Sequence, residues 1–87
     1  MILHFTDDAW ADYQYWLQTD KAVLKRINTL IKDMQCNPFD GIGKPEPLRH
    51  SLAGYYSRRI NQEHRIVYRA DESGIWLIAL RFHYTAE

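Results

Sequence analysis

The stretch IWLIALRFHY at residues 75–84 decides the predicted fold, because it is apolar on both faces for most of its length. Successive side chains of a strand point to opposite faces of the sheet. One face carries Trp76, Ile78, Leu80, Phe82 and Tyr84, and the other carries Ile75, Leu77, Ala79, Arg81 and His83. A strand buried on both faces lies inside a sheet. We therefore predict a central strand over 75–84, and we expect its polar end, from Arg81 onward, to open into a site.

Three further strands are predicted from short runs rich in apolar and β-branched residues, at 2–5, about 55–61 and 64–70. In the last of these runs, alternation places Arg65 and Arg69 on one face and Ile66 on the other. One face of the sheet is therefore expected to pack against helices, while the opposite face carries Arg65 and His83.

Two helices are predicted between the first two strands, because apolar residues recur there at helical spacing. The stripe of the first helix is Trp10, Tyr13, Trp16 and Leu17, and that of the second is Val23, Leu24, Ile27, Leu30, Ile31 and Met34. Thr6 or Asp7 is the expected N-cap of the first helix, and Thr19 or Asp20 that of the second, which Asn37 ends. Both stripes are expected to face a common sheet.

Composition favours one small globular domain, since the 87 residues are 46% hydrophobic and 25% charged. The single cysteine, Cys36, excludes an internal disulfide and suits a reducing compartment. No segment has the ~20 apolar residues that span a bilayer, and the N-terminus lacks the pattern of a signal peptide. A cytoplasmic protein without membrane association is therefore expected.

Charge is unevenly distributed, although the formal net charge is zero. Residues 1–43 carry four lysines and arginines against six acids, a net charge of −2, whereas residues 44–70 carry six against two, a net charge of +4. A zero total argues against a general polyanion binder, but the basic half could hold RNA phosphates on one face. The alternative is that Arg58, Arg59, Arg65 and Arg69 form an ordinary solvated surface.

The segment 38–54 is predicted to be an ordered loop, and it holds Glu46 between Pro45 and Pro47. The two prolines leave Glu46 little backbone freedom. Glu46 and His83 could reach one pocket. RNA supplies its own nucleophile, so cleavage needs a base for the 2′-hydroxyl, an acid for the leaving oxygen and cations for the phosphorane charge. The alternatives are a solvated Glu46 and a merely hydrogen-bonded His83. No histidine or cysteine spacing matches a metal site, so none is expected.

The segment GKPEPLRHSLAGYYSRRINQEHRIVYR at 43–69, followed by LRFHY at 80–84, closely resembles the YoeB toxins of the RelE-like bacterial toxin superfamily. YWLQTDK at 15–21 and INTLIKD at 27–33 also resemble this family. The resemblance implies a single domain over 1–87 with an α+β, RelE-like fold, in which two N-terminal helices pack on a small twisted, mainly antiparallel four-stranded sheet. It also implies an mRNA interferase that enters the ribosomal A site and cuts the codon there.

Catalytic roles follow from the resemblance position by position. Glu46 matches the general base that takes the 2′-hydroxyl proton, and His83 matches the general acid. Arg65 matches the arginine that stabilises the scissile phosphate, and Tyr84 matches the tyrosine that orients the RNA. The implied products are a 2′,3′-cyclic phosphate and a 5′-hydroxyl, formed without a metal or cofactor.

RNA-binding roles and partners are implied in the same way. Arg59 corresponds to a further phosphate-contacting arginine, and Arg49 stands where the family has lysine, which changes the placement of its donors. The tail Thr85–Glu87 extends beyond the usual family end. Implied partners are a YefM-like antitoxin that folds on binding, the 70S ribosome with its mRNA, a second copy in a homodimer, and operator DNA through the antitoxin only. Two alternatives remain open: a non-catalytic ribosome-binding inhibitor of translation, and a transcriptional corepressor bound to its antitoxin.

Overall fold

The computed structural model describes residues 1–82, which form two helices and five strands. In chain order these are β1 (Leu3–Phe5), α1 (Asp7–Thr19), α2 (Lys21–Cys36), β2 (Glu46–Pro47), a short 3₁₀ turn (His50–Leu52), β3 (Tyr56–Arg59), β4 (Arg65–Asp71) and β5 (Gly74–Ala79). The predicted site residues His83 and Tyr84, and the tail Thr85–Glu87, lie outside the described residues.

Both helices begin where their caps were predicted. The Thr6 hydroxyl accepts a hydrogen bond from the Ala9 amide at 3.1 Å, and the Asp20 carboxylate accepts from the amides of Ala22 and Val23 at 3.1 and 3.2 Å. Each cap satisfies amides that have no partner inside the helix. Asp20 alone separates the two helices: its backbone amide donates to the Trp16 carbonyl at the end of α1, and its carboxylate caps the start of α2.

The apolar stripe of α2 is confirmed, whereas that of α1 is only partly right. Ile27, Leu30, Ile31 and Met34 of α2 are buried. In α1, Trp16 is buried, but Trp10 is 50% exposed and Leu17 is 42% exposed. Trp10 stacks on Tyr13 at 5.9 Å between ring centroids instead of entering the core. Helical spacing alone did not distinguish these two environments.

The sheet has the strand order β1-β5-β4-β3-β2, with β1 parallel to β5 and all other pairs antiparallel. The α+β class and the mainly antiparallel sheet are confirmed, but the prediction of four strands is wrong. The fifth strand is β2, inside the predicted loop. Leu48 donates to the Tyr55 carbonyl at 2.9 Å, so the nitrogen of Pro47, one residue earlier, points away from β3. An edge strand tolerates proline at such a position.

Strand β5 is interior, as predicted, but it ends at Ala79 rather than at residue 84. Side chains of α1 capture the next backbone groups: Asp12 accepts from the Leu80 amide and the Trp16 indole donates to the Leu80 carbonyl, both at 2.9 Å. The register with β4 also shifts between Val67 and Tyr68. This bulge places Ala79 beside Val67 and sends Leu80 into the helix-side core, which the predicted alternation did not anticipate.

The two faces of the sheet are covered by different amounts of packed structure. The helix side holds the main core, which includes Ile27, Leu30, Met34, Ile66, Tyr68, Ile75, Leu77 and Leu80. The opposite side, here called the open face, has a smaller cluster built on Leu48, Val67 and Ala79. In the described part of the chain, both helices pack on one side of the sheet, in agreement with the prediction. Within residues 1–82, no helix is long and apolar enough to cross a membrane.

Candidate functional site

Glu46 lies on the open face, at the edge of the sheet. Its backbone pairs with Ser57 of β3, and Ser57 pairs with Val67 of β4. Partners directly opposite each other in antiparallel strands project to the same side, so Glu46 shares the face of Val67. The residue is exposed. Its carboxylate therefore stands at the rim of the open face, in contact with solvent.

Arg59 and Arg65 form the neighbouring row on the same face. They are direct partners in the β3–β4 register, which places their side chains on one side of the sheet. Arg59 is two residues along β3 from Ser57, the partner of Glu46. From strand spacing and rise, the Glu46 and Arg65 Cα atoms are about 12 Å apart. Extended glutamate and arginine side chains can approach one phosphodiester from its two sides across such a span.

Arg65 is held in place by its own turn. Only 9% of the residue is exposed, and its Nη1 donates to the carbonyls of Asn61 at 3.0 Å and His64 at 3.3 Å. The Asn61 side chain accepts from the amides of Glu63 and His64 at 2.9 and 2.8 Å, which makes the turn rigid. Packing and hydrogen bonds thus orient this cation before any ligand arrives.

The loop before Glu46 turns sharply and is anchored to β3. Gly43 and Lys44 both have positive φ, at 78° and 51°, in the region that favours glycine. The Gly43 carbonyl accepts from the Arg59 amide at 2.7 Å. Pro45 follows at once. The chain therefore enters β2 from a fixed direction, and the expected stiffness around Glu46 has a structural basis in both the prolines and this anchor.

Arg58 does not join the site, so its candidacy as a phosphate ligand is wrong. It is fully buried on the helix side, because it pairs with Ile66 and alternates with Arg59. Its guanidinium uses all five donors on Asp33 (2.6 Å), the Tyr68 hydroxyl (3.1 Å), the carbonyls of Ile42 (3.2 Å) and Asp40 (2.9 Å), and the Asn37 carbonyl. The hydrogen bond from Arg58 lowers the pKa of the Asp33 carboxyl, and one from the Ile42 amide adds to this. Arg58 thus fastens the loop before Glu46 to α2.

Arg69 and Arg49 stand apart from the row of Arg59 and Arg65. Arg69 is four residues along β4 from Arg65, or about 13 Å. Its Nη2 lies 3.5 Å from an Asp71 carboxylate oxygen, and its guanidinium lies over the Trp76 ring. Arg49 is exposed and precedes the 3₁₀ turn. The structure thus places Arg69 at the far end of the open face, and Arg49 just beyond β2.

His64 has a role that the sequence did not reveal. Its Nδ1 accepts a hydrogen bond from the Phe82 amide at 2.7 Å, and the next residue, Arg65, donates its amide to the Phe82 carbonyl at 2.9 Å. The ring meets Trp16 edge to face at 4.9 Å. His64 and Arg65, at the start of β4, therefore hold Phe82 by two hydrogen bonds. Phe82 directly precedes His83 in the chain. Sequence spacing gives no sign of this contact, since its partners are 18 residues apart.

A groove beside the β3–β4 turn brings in Arg26, which the sequence analysis also missed. The groove has a volume of about 540 Å³ and is lined by Arg26, Arg59, Ile60, Asn61, Gln62 and Arg65. Arg26 precedes the buried Ile27 on α2 and is itself exposed. Its approach to the turn depends on how α2 docks on the sheet, so no local pattern could have identified it.

Comparisons with known sequences agree with the resemblance. A family model described as a YoeB-like toxin of bacterial type II toxin–antitoxin systems matches residues 5–84. Toxin YoeB of Synechocystis is 55% identical over 84 residues, which cover 97% of this chain and 98% of that protein. Toxin YoeB of Escherichia coli K12 is 50% identical over 84 residues, which cover 97% of this chain and 100% of that protein.

Solved structures give the same result. A YoeB/ParE toxin from Agrobacterium tumefaciens has a TM-score of 0.93 at 49% identity, with coverage of 97% of this chain and 100% of its own. A YoeB dimer from Staphylococcus aureus has a TM-score of 0.90 at 46% identity, and a chain of a YoeB–YefM complex from the same organism has 0.89 at 45%, each with coverage of 97% and 98%. YafQ from E. coli, at 17% identity and a TM-score of 0.72, shares the fold alone. This chain therefore belongs to the family of YoeB-like toxins of bacterial type II toxin–antitoxin systems.

Proposed function

We propose that this toxin is a ribosome-dependent endoribonuclease that cuts mRNA in the A site and so inhibits translation. The observation that carries the proposal is the placement of Glu46, Arg59 and Arg65 on the open face, in adjacent rows of one sheet. A carboxylate at the rim and two arginines beside it fit a phosphodiester with a neighbouring 2′-hydroxyl. The ribosome supplies the remaining binding surface, which suits a chain with zero net charge.

The proposed reaction is a transesterification within the RNA. Glu46 takes the proton of the 2′-hydroxyl, whose oxygen attacks the adjacent phosphorus while the bond to the 5′-oxygen breaks. Arg65, assisted by Arg59, stabilises the charge that develops on the phosphorane oxygens. His83 gives a proton to the departing 5′-oxygen, and Tyr84 orients the RNA near that phosphate. The products are a 2′,3′-cyclic phosphate and a 5′-hydroxyl, and the route uses neither a metal nor a cofactor.

The proposed partners are an antitoxin, the ribosome and a second copy of the toxin. The solved YoeB–YefM complex and YoeB dimer support a YefM-like antitoxin and a homodimer here. An acidic antitoxin segment that folds on binding would complement the basic half of the chain. Operator DNA would be reached only through the antitoxin. All these partners place the protein in the cytoplasm.

Cleavage of mRNA on programmed ribosomes tests the proposal. Glu46→Gln keeps the size of the side chain but removes the base, so we expect the cleavage rate to fall by about 10²- to 10⁴-fold. His83→Ala is expected to cause a loss of similar size. Glu72→Gln is the matched control, because Glu72 is an exposed carboxylate in the β4–β5 turn and should leave the rate unchanged.

The same assay separates catalysis from simple occupation of the ribosome. Mapping of RNA ends should find a 5′-hydroxyl on the downstream fragment of the wild-type reaction. If wild type and both variants inhibit translation equally and no RNA is cut, the protein is a non-catalytic inhibitor and the nuclease proposal fails.

A further inference from the structure

We propose that the groove beside the β3–β4 turn is a second phosphate-binding subsite, which holds a backbone phosphate of the RNA other than the scissile one. In this proposal Arg26 of α2 is an RNA-binding residue. The inference rests on the proposed function, because it extends the RNA path from the open face around the end of the sheet.

Three arginines from separate elements line this groove. Arg26 comes from α2, Arg59 from the end of β3 and Arg65 from the start of β4. Ile60 contributes an apolar wall, and Asn61 contributes a polar rim. Arg59 and Arg65 also belong to the proposed cleavage site, so the groove is continuous with it. A strand whose scissile phosphate lies at Arg65 can place a neighbouring phosphate here.

The positive charge of the groove is not neutralised by the protein. None of its lining residues is acidic. Within residues 1–82, the ion pairs involve other cations, and the turn's own acid, Glu63, lies 3.7 Å from the His64 ring. Converging like charges without counterions raise the local potential, which favours an anionic ligand. Guanidinium groups match phosphate oxygens through paired hydrogen bonds.

The turn side of the groove is ordered before binding. The Arg65 guanidinium is tied to two carbonyls, at 3.0 and 3.3 Å. The Asn61 side chain closes the turn through two amides, and the backbone amide of Ile60 donates to the His64 carbonyl at 3.0 Å. A ligand therefore meets a rigid turn on one side and a helix on the other. Binding to the turn side thus loses little additional conformational entropy.

RNA fits this groove better than an acidic peptide does. Two of its three arginines are already assigned to RNA phosphates in the proposed reaction, and backbone phosphates recur at regular intervals beyond the scissile bond. Contacts of this kind fix the register of a nucleic acid without reading its bases. Arg26 should therefore contribute to affinity for any sequence, and it should not determine the codon that is cut.

Binding of a short 2′-O-methyl RNA, which lacks the attacking hydroxyl, tests the subsite directly. Arg26→Gln should weaken binding by roughly 3- to 10-fold at ~0.15 M salt and reduce the salt dependence, while Arg26→Glu should weaken it further. Lys25→Glu makes the same change of charge one residue away on α2, outside the groove, and should have a much smaller effect. Gln62→Glu, which brings a carboxylate into the groove from the turn, should mimic Arg26→Gln.

Kinetics on programmed ribosomes provide the second arm. Arg26→Gln should raise KM several-fold with little change in kcat, because Arg26 holds RNA away from the bond that breaks. If wild type binds the uncleavable RNA through Arg26 but cuts no mRNA, the proposed function fails and the subsite stands. If wild type cuts mRNA and Arg26→Glu behaves like Lys25→Glu in both assays, the subsite is wrong. Loss of poly-glutamate binding with RNA binding intact would assign the groove to an acidic protein instead.

Discussion

Arg58 and Arg59 are adjacent in the chain but have different roles, because successive side chains of β3 point to opposite faces of the sheet. Arg58 is fully buried and binds the loop before Glu46, whereas Arg59 is exposed on the open face. The guanidinium of Arg58 satisfies every donor it has, which is the condition under which a buried charge is tolerated. From the sequence alone, both arginines could be interpreted as surface cations. Only the register with β4 separates the structural residue from the proposed ligand.

The Asp33–Arg58 pair should make stability depend on acid. Because the pKa of Asp33 is lowered in the folded protein, its contribution is present above the ordinary value of 3.8 and is lost as the pH falls below that value through the folded pKa. Asp33→Asn removes the negative charge that pairs with the buried Arg58 guanidinium, so we expect a lower Tm than wild type at neutral pH. The Tm difference between the two proteins should shrink as the pH falls below 3.8.

Thermal unfolding followed by circular dichroism across this pH range checks the prediction. Glu72→Gln removes an exposed carboxylate from a turn and should track wild type at each pH. Some acid dependence will persist in Asp33→Asn, because hydrogen bonds from Ser73 also lower the pKa of Asp71. A Tm difference that stays constant from neutral to acidic pH would contradict the linkage.

Among the elements, the loop from residue 37 to residue 45 has no helix or strand but is tightly constrained at Gly41. Gly41 has φ of 122°, and a Cβ there would lie 2.1 Å from an Asp33 carboxylate oxygen. That oxygen is the one that binds Arg58. The loop therefore leaves no room for a side chain at Gly41. The loop is held by the contacts of the buried Arg58 guanidinium and by the hydrogen bond from the Arg59 amide of β3 to the Gly43 carbonyl.

Gly41→Ala is expected to destabilise the protein well beyond the cost of backbone strain. Gly54→Ala is the matched control, since Gly54 also has positive φ, 94°, but a Cβ there would meet nothing within 4 Å. The difference between the two variants isolates the displacement of Asp33 from Arg58, and should be roughly 1–3 kcal/mol in the free energy of unfolding. Urea denaturation measures it. Equal losses in the two variants would show that strain alone acts at Gly41.

Elements with local signals could be predicted, and elements that depend on a partner could not. The signals for the helices are local in the sequence: the caps are Thr6 and Asp20, and the apolar stripe of α2 lies within one segment. Both helices therefore begin where expected. β2 has only two residues and exists because the edge of β3 is free. The early end of β5 depends on Asp12, which lies 68 residues from Leu80. Likewise, Glu46 and Arg65 could be selected from the sequence, but the groove with Arg26 required the docked helix.

At the scale of the whole molecule, the two ends of the described chain are joined through β1, α1 and β5. Thr6 donates its amide to the Leu77 carbonyl at 3.1 Å, and β1 runs parallel to β5. Beyond β5, Trp16 and Asp12 hold both backbone groups of Leu80. These long-range contacts join the helical layer to the segment that leads into His83. The contacts that stabilise the fold therefore also hold the residues that precede His83 in the chain.

The hydrogen bond from the Phe82 amide to the His64 ring extends these contacts to the end of the described residues. Its loss should open the segment around Phe82. His64→Leu keeps an apolar side chain against Trp16 but removes the acceptor at 2.7 Å, leaving the Phe82 amide without its partner. His64→Asn places an oxygen near the former Nδ1 and can restore it. Loss of this hydrogen bond should cost roughly 1–3 kcal/mol, so we expect His64→Leu to lower the hydrogen-exchange protection of the Phe82 amide at least about fivefold. His64→Asn should retain most of that protection. Exchange rates measured by NMR for Phe82 and Arg65 decide the matter. Unchanged protection in His64→Leu, or equal losses in both variants, would mean that ring packing on Trp16 holds the segment instead of the hydrogen bond.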